Sequence, residues 1–167
     1  DGYIPAETIA AVLLKPLAKA LEDGDQIHAV IKGSAVAHGG HASAITAPSV
    51  TQERAVMLKA WANAKIDPRT INYMEAHGTG TKLGDPIEME AVKKAFGEHT
   101  ADIGFCAIGS LKAHMGHAEP AAGIASLIKV ILALKAKKIP MMPNFNALNP
   151  YINLEKSPVY INKEVEE

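Results

Sequence analysis

The sequence predicts an α/β fold, and three observations carry that prediction. Short apolar or alternating runs over residues 8–14, 26–34, 71–76 and 105–111 take turns with helical patterns, the ordering that builds a sheet covered by helices on both faces. The stretch Gly84-Asp85-Pro86-Ile87-Glu88 combines an N-capping carboxylate, a proline at the first helical position and a glutamate placed to close a capping box, so it reads as a helix start. Residues 121–134 read AAGIASLIKVILAL, with only Ser126 and Lys129 polar, so this helix is expected to be buried on nearly all sides. It falls short of the ~20 residues that cross a bilayer, which places it between protein layers.

The elements follow in order. Residues 8–14, TIAAVLL, read as a buried strand, and residues 16–22 as a short helix closed by the turn Asp23-Gly24-Asp25. Residues 26–34, QIHAVIKGS, alternate apolar and polar positions with Ile27, Ala29 and Ile31 on one face, a strand pattern. Residues 38–49 are rich in Gly, Ala, Ser and Thr and read as a loop into a helix over residues 51–64, with Val56, Leu58, Trp61 and Ala62 as its apolar face. Asp67-Pro68 is expected to stop that helix, after which residues 71–76 form a strand running straight into His77. The helix capped by Asp85 should run to about Phe96 and stop at Gly97. Residues 105–111 form a strand carrying Cys106. Pro140, Pro143 and Pro150 break up the next region, and residues 159–161 supply a last strand. No internal repeat interrupts this order, so residues 1–167 read as one domain.

Composition narrows the function classes. A chain of 167 residues with 48% hydrophobic and 21% charged content is long enough for a packed core and too apolar for disorder. A net charge of −1 and no basic run denser than residues 135–138 give no field for nucleic acid. A single cysteine excludes an internal disulfide and fits a reducing compartment. Residues 1–8, DGYIPAET, lack the basic and apolar layout of a signal peptide, so the cytoplasm is the expected location and no membrane partner is expected. Because the chain starts at Asp1 rather than Met, it is expected to be a piece of something longer.

Two histidine-bearing stretches sit where strands hand over to helices. His77 opens the loop His77-Gly78-Thr79-Gly80-Thr81, whose backbone N–H groups and hydroxyls could approach a phosphate or a thioester arm. The loop lacks the Gly-Lys-Ser/Thr ending of a phosphate-binding loop, and a tight turn with an incidental histidine is the alternative. His117 precedes Pro120 and the apolar helix, near the positive end of a helix dipole, which disfavours imidazolium. Two neutral imidazoles could donate to one carbonyl oxygen and stabilise an enolate. Lys112 is close enough to add positive charge, with Glu88 as a candidate partner; the alternative is a solvated surface lysine.

Glu75-Ala76-His77-Gly78-Thr79-Gly80-Thr81, with Gly84-Asp85-Pro86-Ile87-Glu88, resembles the first histidine motif of type I β-ketoacyl synthases. Gly109-Ser110-Leu111-Lys112 through Gly116-His117 to Ala121-Ala122-Gly123 resembles their second. Asp1-Gly2-Tyr3-Ile4-Pro5-Ala6-Glu7 and Gly33-Ser34 through His38-Gly39-Gly40 to Ala47-Pro48 extend the likeness along the chain, which looks like the C-terminal half of a ketosynthase of a modular polyketide synthase. The resemblance implies a thiolase-like layered fold with an incomplete core and a decarboxylative Claisen condensation of an acyl thioester with a malonyl thioester, in polyketide or fatty-acid synthesis. By position, His77 and His117 would bind the malonyl carbonyl and stabilise the enolate, Lys112 would support the site with Glu88 as its ion-pair partner, and Thr79 and Thr81 would contact the phosphopantetheine arm of an acyl carrier protein. That arm is a substrate carrier; no bound cofactor or metal is implied. The further partners implied are the N-terminal half of the ketosynthase and a second copy in a homodimer.

The sequence departs from the pattern in places. The family's nucleophilic cysteine lies in an earlier segment, and Cys106, within an apolar strand with no base or helix start beside it, is no substitute. The Gly- and Phe-rich strand-turn that completes the family's C-terminal half is also absent, so the isolated chain is not expected to complete a condensation. His114 stands where the family usually has Asn, and Ala37 where Asn often precedes the histidine-glycine loop. Two alternatives accompany this reading: a non-catalytic structural or docking piece, and a metal site at His38/His41 or His114/His117, whose spacings could chelate zinc.

Overall fold

A computed structural model describes residues 2–40 and 47–166. Three parallel strands, β1 (Tyr73–Glu75), β2 (Cys106–Gly109) and β3 (Val159–Ile161), form a sheet in that order. Met74 pairs with Ile108, and Cys106 and Ile108 pair with Val159 and Ile161. Because side chains alternate along a strand, these five residues share one face, while Tyr73, Glu75, Ala107 and Tyr160 share the other.

The first face carries the core. Helices α2 (Val50–Ala64) and α3 (Gly84–Gly97) bring Trp61, Met89, Val92, Ala95 and Phe96 over Cys106, Ile108 and Val159. The Phe96 ring lies 4.8 Å from that of Trp61 and 5.3 Å, edge to face, from that of Phe105. Helix α5 (Ala122–Ala136) meets the second face, where Lys129 reaches Tyr73 and Glu75. The α/β class therefore holds, with helices on both faces of a parallel sheet.

Several elements form as the local sequence dictates. Helix α1 (Leu17–Glu22) is closed by the turn at Gly24, whose φ of 69° is the left-handed conformation glycine tolerates. Ser49 caps α2, its Oγ accepting from the Gln52 N–H at 3.4 Å. Ser49→Ala is expected to cost about 0.5–1 kcal/mol, the lower part of the capping range because that bond is long; urea unfolding of the domain reads it. The apolar face of α2 is formed by Met57, Leu58 and Trp61, while Ala62 of the expected face is exposed. The helix ends at Ala64, as expected, but on Lys65 in the left-handed conformation and not on Asp67-Pro68; Asp67 instead caps the short 3-10 turn Pro68–Thr70 through the Arg69 N–H.

Helix α3 corrects the sequence reading most usefully. It begins at Gly84, ahead of Pro86, and neither Asp85 nor Glu88 caps it. Both carboxylates turn outward to the loop that carries His77.

Two expected strands are not formed. Residues 8–14 make no strand pairing, although Thr8, Ala10 and Val12 are half-buried while the alternate positions Ile9 and Leu13 are almost fully exposed. Residues 26–34 are likewise unpaired, with Ile27 and Ile31 exposed. The alternation is present, but a strand is defined by a neighbour, and no strand among the described residues lies beside either run. Helix α5 is similarly open: Ala122 and Ala125 are buried, whereas Leu132 and Leu134 are 58% and 60% exposed. The sandwiched helix of the sequence reading is covered on one side only. No helix among the described residues is long and apolar enough to cross a membrane.

Candidate active site

The two histidine-bearing loops converge at the C-terminal end of the sheet. His77 follows β1, and His117 follows β2 and the single-turn helix α4 (Lys112–Met115). Their rings are 5.6 Å apart, centroid to centroid, and nearly perpendicular. His117 is buried, and its Nδ1 accepts the Glu119 N–H at 2.9 Å. With Nδ1 occupied as an acceptor, the neutral ring carries its proton on Nε2 and offers that N–H as a donor.

His77 is the more exposed of the two. Partial burial lowers its imidazole pKa, the Lys112 charge adds to that, and the Glu88 carboxylate opposes it. A folded pKa below the unfolded value of ~6.5 means that the neutral ring contributes stability fully present above ~6.5 and lost as pH falls through the folded pKa. An NMR titration should place the His77 midpoint below ~6.5; a midpoint at or above that value contradicts the neutral assignment.

The carboxylates of α3 shape the first loop. Glu88 accepts the His77 and Gly78 N–H groups through its two oxygens, at 2.7 and 2.9 Å, and Asp85 accepts the Gly80 N–H at 3.1 Å. Glu88 makes no direct ion pair with Lys112, contrary to expectation; its two oxygens accept backbone N–H groups of the His77 loop instead. It still acts on Lys112 through space: burial lowers the ammonium pKa, and the charges of Glu88, Glu75 and Asp85 oppose that. Lys112 is half-buried and not a solvated surface lysine.

Thr79 and Thr81 face one another, Oγ1 to Oγ1 at 3.2 Å, and Thr81 Oγ1 also accepts the Gly84 N–H that opens α3. A cleft of about 830 Å³ runs along the Lys112 side of the site; Gly78, Thr79, Gly80, Lys112, His114 and Asn144 border it. Thr79 reaches this cleft, whereas Thr81 and the two imidazole rings lie outside its lining.

Cys106 is fully buried, and burial pushes its thiol pKa up to about 12. Such a thiol is not a nucleophile at neutral pH. It should resist iodoacetamide in the native protein and react on denaturation; rapid native labelling would contradict this environment. His114 is exposed beside the cleft. His38 Nδ1 accepts the Gly40 N–H, and His41 lies outside the described residues. Among the described residues, no group of three or more His, Cys, Asp or Glu side chains converges as a metal site.

The structure adds residues that the sequence reading left without a role. The N-terminal segment straps both loops: Gly2 N–H donates to Gly80, and Ile4 and Ala6 bracket His117 through backbone hydrogen bonds of 2.8 and 2.9 Å. Gly116 permits that approach, because a Cβ there would lie 2.5 Å from the Ile4 carbonyl oxygen and its φ is 83°. Buried Ser110 accepts the Lys112 N–H through its Oγ at 3.3 Å. Glu75 is joined to Lys129, the one charge within the apolar run of residues 121–134, and that isolation is the available signal.

Comparison with known proteins bears on this geometry. The sequence profile of the family described as β-ketoacyl synthase, C-terminal domain, matches residues 28–146. The chain is 54% identical over 166 residues to polyketide synthase PksL of Bacillus subtilis (strain 168), covering 99% of this chain and 4% of that protein. It is 45% identical over 167 residues to polyketide synthase ThaG of Burkholderia thailandensis, covering 99% of this chain and 3% of that one. Among solved structures, an oxazolomycin ketosynthase domain, OzmH KS7 of Streptomyces albus JA3453, superposes with a TM-score of 0.95 at 38% identity, over 99% of this chain and 29% of that one. The ketosynthase from module 6 of the bacillaene synthase of Bacillus subtilis 168 gives 0.88 at 41% identity, over 91% of this chain and 27% of that one. The chain thus spans under a third of these solved ketosynthases, and its layers are part of a thiolase-like fold.

Proposed function

Since this chain belongs to the β-ketoacyl synthases of modular type I polyketide synthases, as part of their C-terminal domain, we propose that it supplies the decarboxylation half of a condensing site. The observation that carries this reading is the pair of imidazoles 5.6 Å apart, one with its tautomer fixed by a backbone donor. Two neutral rings with N–H groups free to converge suit a carbonyl oxygen that gains negative charge.

In the reaction so assigned, a malonyl thioester on the phosphopantetheine arm of an acyl carrier protein places its carbonyl oxygen between His77 and His117. The bond from the α-carbon to the carboxylate breaks, carbon dioxide leaves, and the electron pair becomes an enolate held on the thioester oxygen. That carbon then attacks an acyl thioester on a cysteine supplied from outside this chain and displaces the thiolate. Lys112 contributes positive charge beside the site, and Thr79, at the cleft, contacts the arm. Thr81 supports that contact through its hydroxyl bond to Thr79.

Residues 1–167 act in this reading as one partial domain of a cytoplasmic synthase. The N-terminal half of the ketosynthase packs on the runs around Ile9, Leu13 and Ile31 and on the open side of α5, and the complete enzyme forms a homodimer. The exposed, unpaired apolar positions of those segments support that packing.

The test uses the complete synthase protein and malonyl-loaded carrier protein, with release of carbon dioxide and acylation of the cysteine followed separately. Alanine at His77 or His117 should slow the first by about 10²–10³-fold and spare the second. Decarboxylation at the parent rate in either variant overturns the proposal.

A further inference from the structure

Behind the two loops, a buried carboxylate joins three elements. Glu75 Oε2 accepts from Lys129 Nζ at 2.8 Å and from the Tyr73 hydroxyl at 2.7 Å, while Oε1 accepts the backbone N–H of Leu111. Lys129 Nζ also donates to the Tyr73 oxygen at 2.8 Å. The Lys129 and Glu75 side chains are only 11% and 8% exposed. An ion pair this far from water adds little net stability, since apolar residues of similar volume hold a core as well. Its placement is more informative. Glu75 ends β1 two residues before His77, and Leu111 immediately precedes Lys112. Helix α4 has no side-chain cap of its own, so the Leu111 amide at its start is satisfied from across the sheet.

We propose that Glu75, fixed by Lys129 and Tyr73, is a positioning residue that locks the His77 loop and the Lys112 helix to one another. The inference rests on the condensing-site reading above. One carboxylate oxygen holds the start of α4, the other is anchored to α5, and the carboxylate itself stands on the strand that delivers His77. The backbone that carries Lys112 is thereby held against the strand that carries His77, and the Glu75 charge favours the protonated form of the Lys112 ammonium.

The experiment compares Glu75→Gln, Glu75→Gln/Lys129→Met and His117→Ala in the complete synthase protein, measuring malonyl decarboxylation against pH, with cysteine acylation and thermal unfolding alongside. The double variant removes both buried charges together, so it folds even where a lone Lys129 charge would not be tolerated. In whichever of the two folds, kcat should fall about 10²-fold, as expected for a misplacement near 1 Å, with KM nearly unchanged. Because the Glu75 charge raises the Lys112 pKa, a loss of activity that follows Lys112 deprotonation should move to lower pH in Glu75→Gln. A kcat and pH profile equal to the parent's, while His117→Ala is inactive, overturns this inference and leaves the condensing reading intact. Parent-like decarboxylation by His117→Ala overturns the reading beneath it. Failure of both Glu75 variants to fold assigns the residue to the core alone and also overturns the inference.

Discussion

Replacing His117 with alanine in the complete synthase protein is expected to slow malonyl decarboxylation by about 10²–10³-fold, the usual effect of removing one donor from an oxyanion site. The size follows from the geometry. The His117 ring is buried, its Nδ1 is held by the Glu119 N–H, and its backbone is clamped on both sides by Ile4 and Ala6. A donor so fixed needs no reorganisation when charge develops, and a water admitted in its place has no such support. His77→Ala should produce a loss of the same order, since its ring stands 5.6 Å away across the same space. The double variant should lose less than the product of the two, because groups that act together are not additive. Acylation of the cysteine should persist in all three, as mass spectrometry of the loaded protein would record. Loss of acylation together with decarboxylation would mean that the substitutions damaged the fold and would withdraw the role assigned to the rings.

Phe96→Ala is expected to destabilise the domain by about 3–5 kcal/mol, the range for deleting a fully buried aromatic ring. Phe96 has no exposed surface and stands where α3 crosses the sheet, between Trp61 of α2 and Phe105 at the start of β2. Its neighbours belong to separate elements, so no single one can collapse into the space without moving another. Against a typical total of about 5–15 kcal/mol, such a loss is large. Urea unfolding of the 167-residue chain followed by Trp61 fluorescence is a direct probe, because Trp61 is the single tryptophan of these residues and touches the deleted ring. A change below about 1 kcal/mol, the centre of the range for ordinary substitutions, would show that the core around α3 is not the cooperative unit described.

Much of the fold was legible because its signals are local. The strands ending at Glu75 and Gly109 and the tail strand Val159–Ile161 were visible as short apolar runs between turns. The buried thiol of Cys106 followed from its place inside one of them. The candidate site was legible in its residues, since the two histidine motifs carry their flanking glycines, threonines and lysine with them. Its wiring was not. Asp85 and Glu88 match a capping box by spacing, yet the structure gives their oxygens to the His77–Gly80 backbone. A carboxylate takes whichever donors lie nearest in space, and sequence spacing counts only those on its own helix.

The same reason separates what the chain encodes alone from what its folding decides. Sequence by itself determined periodicity, turn chemistry and the identity of the chemically able side chains, because each depends on residues a few positions apart. Tertiary structure decided that residues 8–14 and 26–34 remain unpaired, because a strand needs a neighbour's hydrogen bonds and none among the described residues is placed to give them. It decided that α5 is covered on one side, and that its Lys129 meets Glu75 of β1 instead of water. It also brought His77 and His117 ring to ring, by pairing β1 with β2 in parallel so that both strands release their loops at the same end of the sheet.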